Sequence, residues 1–235
     1  MIKFENTEVM NLEGAFRGMR NPLNSWDQSD SGKCSDWYCD SWCPYKNESC
    51  RGIKDGDFII GKNDLALAQK LIKAGSDHRK FSRQIFVSVD ITAPFYWWKE
   101  FDTYKVGTVA NSCSTMHKIH AKPIELSDFS FDNITIDFNS GDRNDNLMFL
   151  MLFTRVVENC EMLRRRYVET KDKKYWRALI QLLPEGYNQR RTVTLTYENL
   201  RNMYGSRRNH KLDEWSVGFM EWIDSLPYAE ELIKS

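Results

Sequence analysis

Arg207 and Arg208 stand in the run Gly205-Ser206-Arg207-Arg208-Asn209-His210-Lys211, between two helical patterns. A guanidinium presents a planar fork of donors that grips a phosphate or carboxylate through two bonds. Arg190, Arg191 and Arg201 add cations upstream, whereas Arg164, Arg165 and Arg166 read as a solvated helix end. The glycine and paired arginines make anion contact more plausible at Arg207 and Arg208 than elsewhere. A second group lies between Glu100 and His117, where a helix ending in Tyr104 and Lys105 runs into Val106 to Thr115, a stretch of small polar residues. Its backbone N–H groups and hydroxyls could wrap a phosphate or a cofactor. They could equally bond their own backbone in a capped turn. Cys113 has His117 four residues on, but no third residue orients that imidazole, so the pattern of an activated nucleophile is incomplete. A third group is Cys34, Cys39, Cys43 and Cys50, spaced C-x4-C-x3-C-x6-C. Four thiolates could clip a loop around zinc, yet common zinc sites carry a C-x2-C pair that is missing here. Free thiols on a surface loop are the alternative, and the expectation is no metal.

The elements that position these groups are legible in outline. Asn11 to Arg20 fits a short helix stopped at Asn21-Pro22. About residues 27–57 read as a long Asp-, Ser-, Lys- and Cys-rich loop or insertion. Asn63 would cap a helix over Asp64 to Ala74, with Leu65, Ala68, Leu71 and Ile72 on one face and Gly75 just past its end. Ile85, Val87, Val89 and Ile91 alternate as in a half-buried strand. Pro94 suits the first turn of an aromatic helix to about Tyr104. Pro123 to Asp142 is polar and irregular, Asn144 to Thr170 a long helix, and Lys173 to Leu183 another. Thr192 to Tyr197 reads as a strand. A helix from Glu198, interrupted near Gly205, and one over Asp213 to Ser225 complete the chain. The class is α+β, in one domain over 1–235.

Thirty-three Lys+Arg against 33 Asp+Glu give zero formal charge, which argues against a general nucleic-acid coat protein. The longest apolar run, Leu147 to Phe153, falls short of the roughly 20 residues a bilayer needs. Met1 to Asn6 has no apolar core, so no signal peptide is expected and the cytoplasm is the default compartment. Its six cysteines are then thiols or metal ligands rather than disulfides.

Together these residues resemble the flavin-dependent thymidylate synthases. That family has a helix ending in L-I-x-x-G, an alternating strand, and an aromatic helix leading into R-H-R-x-x-S-x-N-x-x-S-x-R. Here stand Leu71-Ile72-Lys73-Ala74-Gly75, the strand through Ile91 and the helix from Pro94. Later the family shows L-P, a strand, N-A-R and A-Q-W-E, where this chain has Leu183-Pro184, Thr192 to Tyr197, Asn199-Leu200-Arg201 and Asp213-Glu214-Trp215. Ala15-Phe16-Arg17 matches the family's early A-A-R. The R-H-R triplet is absent. One register places Thr103-Tyr104-Lys105 there, with Glu100 on the nucleotide-contacting Gln and Thr108 on the first Ser. Another, shifted by one, aligns Asn111 and Ser114 with the N and second S and puts Met116 at the final Arg. Ser76 to Phe81 replaces H-x-x-x-x-E-H, with His78 and Arg79 as substitute cations. The cysteine-rich stretch has no counterpart in the pattern.

The resemblance implies a family fold of helices on a small, mostly antiparallel sheet. It implies reductive one-carbon transfer from methylenetetrahydrofolate to dUMP, with FAD as cofactor and NADPH as reductant. His78, Arg79, Tyr104, Lys105, Thr108, Asn111, Ser112, Ser114, Asn199 and Arg201 would hold the cofactor. Glu100, Arg207, Arg208 and Glu214 would hold the nucleotide, with Arg207 or Arg208 neutralising charge on the pyrimidine. The assembly implied is a homotetramer, for which Leu147 to Phe153 would suit an interface, with no membrane or nucleic-acid partner. The same fold could also serve a non-catalytic nucleotide-binding or regulatory protein.

Overall fold

The structure is a computed structural model that describes residues 2–34, 56–132 and 143–235. Four strands, β1 (Lys3–Met10), β4 (Phe86–Pro94), β5 (Val109–Ser112) and β6 (Asn188–Thr196), form a small antiparallel sheet in the order β1-β4-β6-β5. A two-stranded ladder joins β2 (Gly32–Lys33) to β3 (Phe58–Ile59), antiparallel, with Gly32 opposite Ile59. The helices are α1 (Leu12–Met19), α2 (Lys62–Lys73), α3 (Phe95–Phe101), α4 (Thr115–Lys118), α5 (Arg143–Thr170), α6 (Lys173–Leu182), α7 (Tyr197–Arg207) and α8 (Met220–Asp224). This is the α+β class with the small sheet expected from the sequence.

The chain divides into two compact units. One holds Met1–Glu5, Asp90–Lys105 and Ala110–Val193; the other holds Asn6–Val89, Val106–Val109 and Thr194–Ser235. In the first, Ile119, Phe129, Val157, Cys160, Leu179 and Tyr187 form one buried cluster. Trp97 and Trp98 of α3 are also fully buried, with ring centroids 4.9 Å apart. Burial pushes the Cys160 thiol up to about 11, so this cysteine behaves as a small apolar core residue. In the second unit, Phe16, Ile72, Ile85, Tyr197, Leu200, Trp215 and Phe219 are buried. The alternation from Ile85 to Ile91 is borne out and extends to Ala93, all of them fully buried.

Several local expectations need correction. Gly61, not Asn63, is the N-cap of α2, and the capping carboxylate comes from Asp30, whose oxygens accept from the N–H groups of Asn63 at 2.8 Å and Asp64 at 3.0 Å. A Cβ at Gly61 would lie 2.2 Å from Asp30, so a residue distant in sequence dictates the glycine. Gly75 does follow the helix in the left-handed region, at φ +108°. Pro94 caps α3 rather than entering its first turn, and α3 ends at Phe101. Val106 to Thr115 is not all loop, because Val109–Ser112 is strand β5. Its four side chains are exposed, so no alternation of apolar residues marks it. Strand β1 has the same character and went unforeseen. Gly205 does not interrupt α7, which continues to Arg207. Asp213 gives no side-chain cap, and Glu214–Phe219 is a π-helical turn running into α8.

The described ends of the cysteine-rich stretch are drawn together. The Cys34 N–H donates to the Asp57 carbonyl at 2.7 Å, beside the β2–β3 ladder. Cys39, Cys43 and Cys50 lie outside the described residues. Among the described residues no group of three potential metal ligands meets, and no helix is long and apolar enough to cross a membrane.

Candidate functional site

The first unit contains a cleft of about 780 Å³. Its floor includes Ile119, Phe129 and Tyr187, and its rim carries Lys3, Lys118, Lys122 and Arg190 against Asp128 and Asp132. Cys113, Ser114 and Thr115 form one wall. Strand pairing places that wall, since the Cys113 N–H donates to the Arg190 carbonyl at 2.9 Å and the Gln189 amide donates to the Cys113 carbonyl at 2.7 Å. Ser114 caps α4 by accepting from the His117 N–H at 3.0 Å, which leaves its hydroxyl proton free to donate. Cys113 is exposed, and among the described residues no hydrogen bond joins its thiol to His117. The incomplete nucleophile pattern therefore gains nothing from the fold.

The cationic rim is held from behind. Glu161 of α5 accepts from the Ile124 N–H at 2.9 Å, and Arg164 donates to the His120 carbonyl at 3.2 Å. Trp176 of α6 donates its indole N–H to the Met116 carbonyl at 2.8 Å. These bonds suspend the segment that bears Lys118 and Lys122. Lys122 also donates to Asp128 at 2.7 Å, and that hydrogen bond to the carboxylate lifts the ammonium above its ordinary range. Arg190 pairs with Asp90 at 2.7 Å and Glu5 at 3.5 Å. Tyr187 is nearly buried, and burial raises its phenol. The cleft thus offers an apolar floor beneath a rim of mixed charge.

Of the loop residues singled out from sequence, Lys105, Asn111, Ser112 and Ser114 are exposed, whereas Glu100 and Tyr104 are half-buried. Ser114 alone of these lines the cleft.

The second unit gathers other candidates around the start of α7. The Arg79 Nε donates to both Glu198 oxygens, at 3.0 and 2.8 Å, and the Ser82 hydroxyl lies 2.9 Å from one of them. Burial pushes the Glu198 carboxyl up, but the Arg79 and Ser82 hydrogen bonds and the Arg79 and Arg83 charges outweigh it and leave it below its ordinary range. Arg201 is lowered by burial first and by the Arg79 charge second; its Nη1 donates to the Ile233 carbonyl at 3.1 Å. Asn199 is the helix's capping partner: its Oδ1 accepts from Thr196 N–H and hydroxyl, and its amide donates to the Val106 carbonyl at 2.7 Å. His78 is exposed and Thr108 half-buried.

At the far end of α7 the two paired arginines part. Arg207 lies over the Trp215 ring at 5.0 Å and Arg208 over the Tyr204 ring at 5.8 Å. Arg208 is exposed, while Arg207 and Glu214 are half-buried.

Sequence reasoning did not find Gln189, Lys3, Lys118, Lys122 or Glu198. A signal existed for Gln189 and Arg191: they continue, at period two, the inward face of Val193 and Leu195.

The fold is therefore α+β, with a charged-rim cleft in one unit and an arginine–glutamate cluster in the other. No family model matches the chain, and no curated protein matches its sequence. Solved structures do match. The crystal structure of thymidylate synthase X from Helicobacter pylori with FAD and dUMP superposes with a TM-score of 0.62 at 14% identity, covering 100% of this chain and 97% of that one. Another, of the flavin-dependent thymidylate synthase from the same bacterium complexed with FAD and dUMP, gives 0.63 at 14% identity over 99% and 98% of the two chains. What is shared at that identity is the fold: this chain has the thymidylate synthase X fold from end to end.

Proposed function

We propose that this protein binds a deoxyuridine nucleotide such as dUMP. We propose further that it acts on it as an enzyme of the flavin-dependent thymidylate synthase kind, by reductive one-carbon transfer from methylenetetrahydrofolate. The observation that carries the reading is the first unit's cleft, an apolar floor under a rim with Lys3, Lys118, Lys122 and Arg190, on a fold whose solved neighbours hold FAD and dUMP. A pyrimidine packs on Phe129 and Tyr187, and the nucleotide's phosphate meets Lys3 and Lys118, while Lys122 and Arg190 already pair with Asp128 and Asp90. In the second unit Arg208, exposed and braced on Tyr204, is the candidate for holding an anion, with Arg207 beside it in sequence. Glu100, in the same unit as the cleft, would accept from the nucleotide's polar hydrogens.

The residues present suit FAD as a ligand. His78, Lys105, Asn111 and Ser112 are exposed, Ser114 keeps a hydroxyl proton, and Arg79 has both Nη groups beyond its bond to Glu198. These cations and hydroxyls, with Tyr104, Thr108 and Arg201, would hold its phosphates and ring edges. When bound, FAD supplies hydride transfer, reduced in turn by NADPH. Asn199 is the exception, since its amide caps α7 and anchors Val106. A homotetramer and a cytoplasmic setting belong to the same reading. The tetramer is supported by α5, where Leu147, Met148, Phe149, Met151 and Leu152 are all more than half exposed.

A second reading is a non-catalytic nucleotide-binding or regulatory protein. The engagement of Asn199 favours it, because its amide is a group the flavin reading asks for. An absorbance spectrum with added FAD, followed by dUMP titration, separates the two. Flavin bands that shift with dUMP support the enzyme. Binding of dUMP without FAD supports the second reading, and binding of neither overturns both.

A further inference from the structure

Arg191 sits on the inward-facing side of β6, in the first unit, with its side chain 14% exposed. Its guanidinium stacks on the Trp98 indole, 4.1 Å from the ring centroid. Nη1 donates to Asp102 at 2.7 Å, and Nε donates to the Gln189 amide oxygen at 2.9 Å. The other end of that amide donates to the Cys113 carbonyl at 2.7 Å. Trp98 closes the ring by donating its indole N–H to the Gln189 carbonyl at 3.0 Å. A continuous chain of bonds thus runs from Asp102, the residue before Thr103-Tyr104-Lys105, to the Cys113–Ser114 wall of the cleft.

Stability alone does not ask for this arrangement. An inward position on a strand is served at least as well by an apolar side chain, and an ion pair whose carboxylate, on Asp102, is half exposed adds little stability. What the network supplies is a fixed distance and orientation between two segments that have no ladder in common. The planar fork and the stacked ring are properties of arginine that lysine lacks. The Gln189 amide, nearly buried and bonded at both ends, transmits the position of one segment to the other.

We infer that Arg191 is a positioning residue that, through Gln189, locks the Asp102–Lys105 loop to the Cys113–Ser114 wall of the cleft. The inference rests on the nucleotide reading only where ligand affinity is measured; the geometry of the wall can be read without any ligand. Cys113 provides that readout, because its thiol is exposed and its backbone is bonded to Gln189 and Arg190.

The test uses the full chain, Arg191→Lys and Gln189→Glu. Three quantities are measured: the rate of Cys113 labelling by an aromatic disulfide reagent, taken as the difference from a matched Cys113→Ser protein; dUMP affinity by calorimetry; and the melting temperature. Arg191→Lys keeps the charge but loses the fork. It should speed Cys113 labelling several-fold and weaken dUMP binding about tenfold, the loss of roughly one charge-assisted hydrogen bond. Gln189→Glu still accepts from Arg191 but cannot donate to the Cys113 carbonyl, so labelling should again accelerate. It carries the test if Arg191→Lys fails to fold. Unchanged labelling in the folded variants overturns the inference, as does acceleration that only follows a lowered melting temperature. If the unaltered protein binds no dUMP, the nucleotide reading falls and labelling alone decides the role of Arg191.

Discussion

Glu161 is the point at which a single oxygen pair supports the cationic rim, and its replacement by glutamine has a calculable cost. The carboxylate, 15% exposed, accepts from Arg164 Nε at 2.6 Å and Nη2 at 2.8 Å, from Arg165 Nε at 2.8 Å, and from the Ile124 N–H at 2.9 Å. The hydrogen bonds from Arg164 come first; they and those from Arg165 and Ile124 outweigh burial and hold the carboxyl at about 2 against an ordinary 4.5. A depression of that size corresponds to roughly 3 kcal/mol of stability at neutral pH, and screening at exposed Arg165 trims it to about 2 kcal/mol. Because the folded carboxyl is depressed, this contribution is complete above pH 4.5 and is lost as pH falls towards about 2. Glu161→Gln removes it at every pH. In a chain of this size about 2 kcal/mol corresponds to a melting temperature lower by roughly 4–8 °C. Scanning calorimetry of both proteins at pH 7 and then stepwise towards pH 2.5 should show that gap narrowing through the acid range. A gap of under a degree at pH 7, or one that stays constant down to pH 2.5, would refute the assignment of Glu161 as an ionised hub.

Two further outcomes are specific. Gly107→Ala forces a Cβ at φ +78° to within 3.0 Å of the Asn199 Oδ1, and should destabilise the protein by about 1–2 kcal/mol in urea unfolding; an unchanged midpoint would show that the loop relaxes freely. The double variant Leu147→Lys, Leu152→Lys puts charge on the exposed apolar stretch of α5 and should lower the mass measured by light scattering, provided the unaltered protein assembles. An assembled mass that survives the substitutions places the interface elsewhere.

Periodic patterns were legible. Ile85 to Ile91 declared a strand with one buried face, α2 lies close to where its apolar spacing put it, and α1, α5 and α6 lie close to where the sequence placed helices. Such elements are written in runs of neighbouring residues, so local sequence suffices. Strands β1 and β5 carry mostly exposed side chains, and they are strands only because partners satisfy their backbone. The cap of α2 is also non-local, since the carboxylate that completes it belongs to Asp30.

The candidate site follows the same division. Residue types fixed which groups could meet an anion, and the order of motifs pointed to a fold that the full-length structural likeness bears out. Which of those groups stay available was decided only by tertiary contacts. Asn199 and Glu198 spend their polar atoms on a cap, a loop and an arginine. The rim of Lys3, Lys118, Lys122 and Arg190 comes from three separate stretches of the chain. Its assembly depends on pairing across strands and on bonds from α5 and α6, interactions whose partners sit tens of residues apart and leave no periodic trace in the sequence.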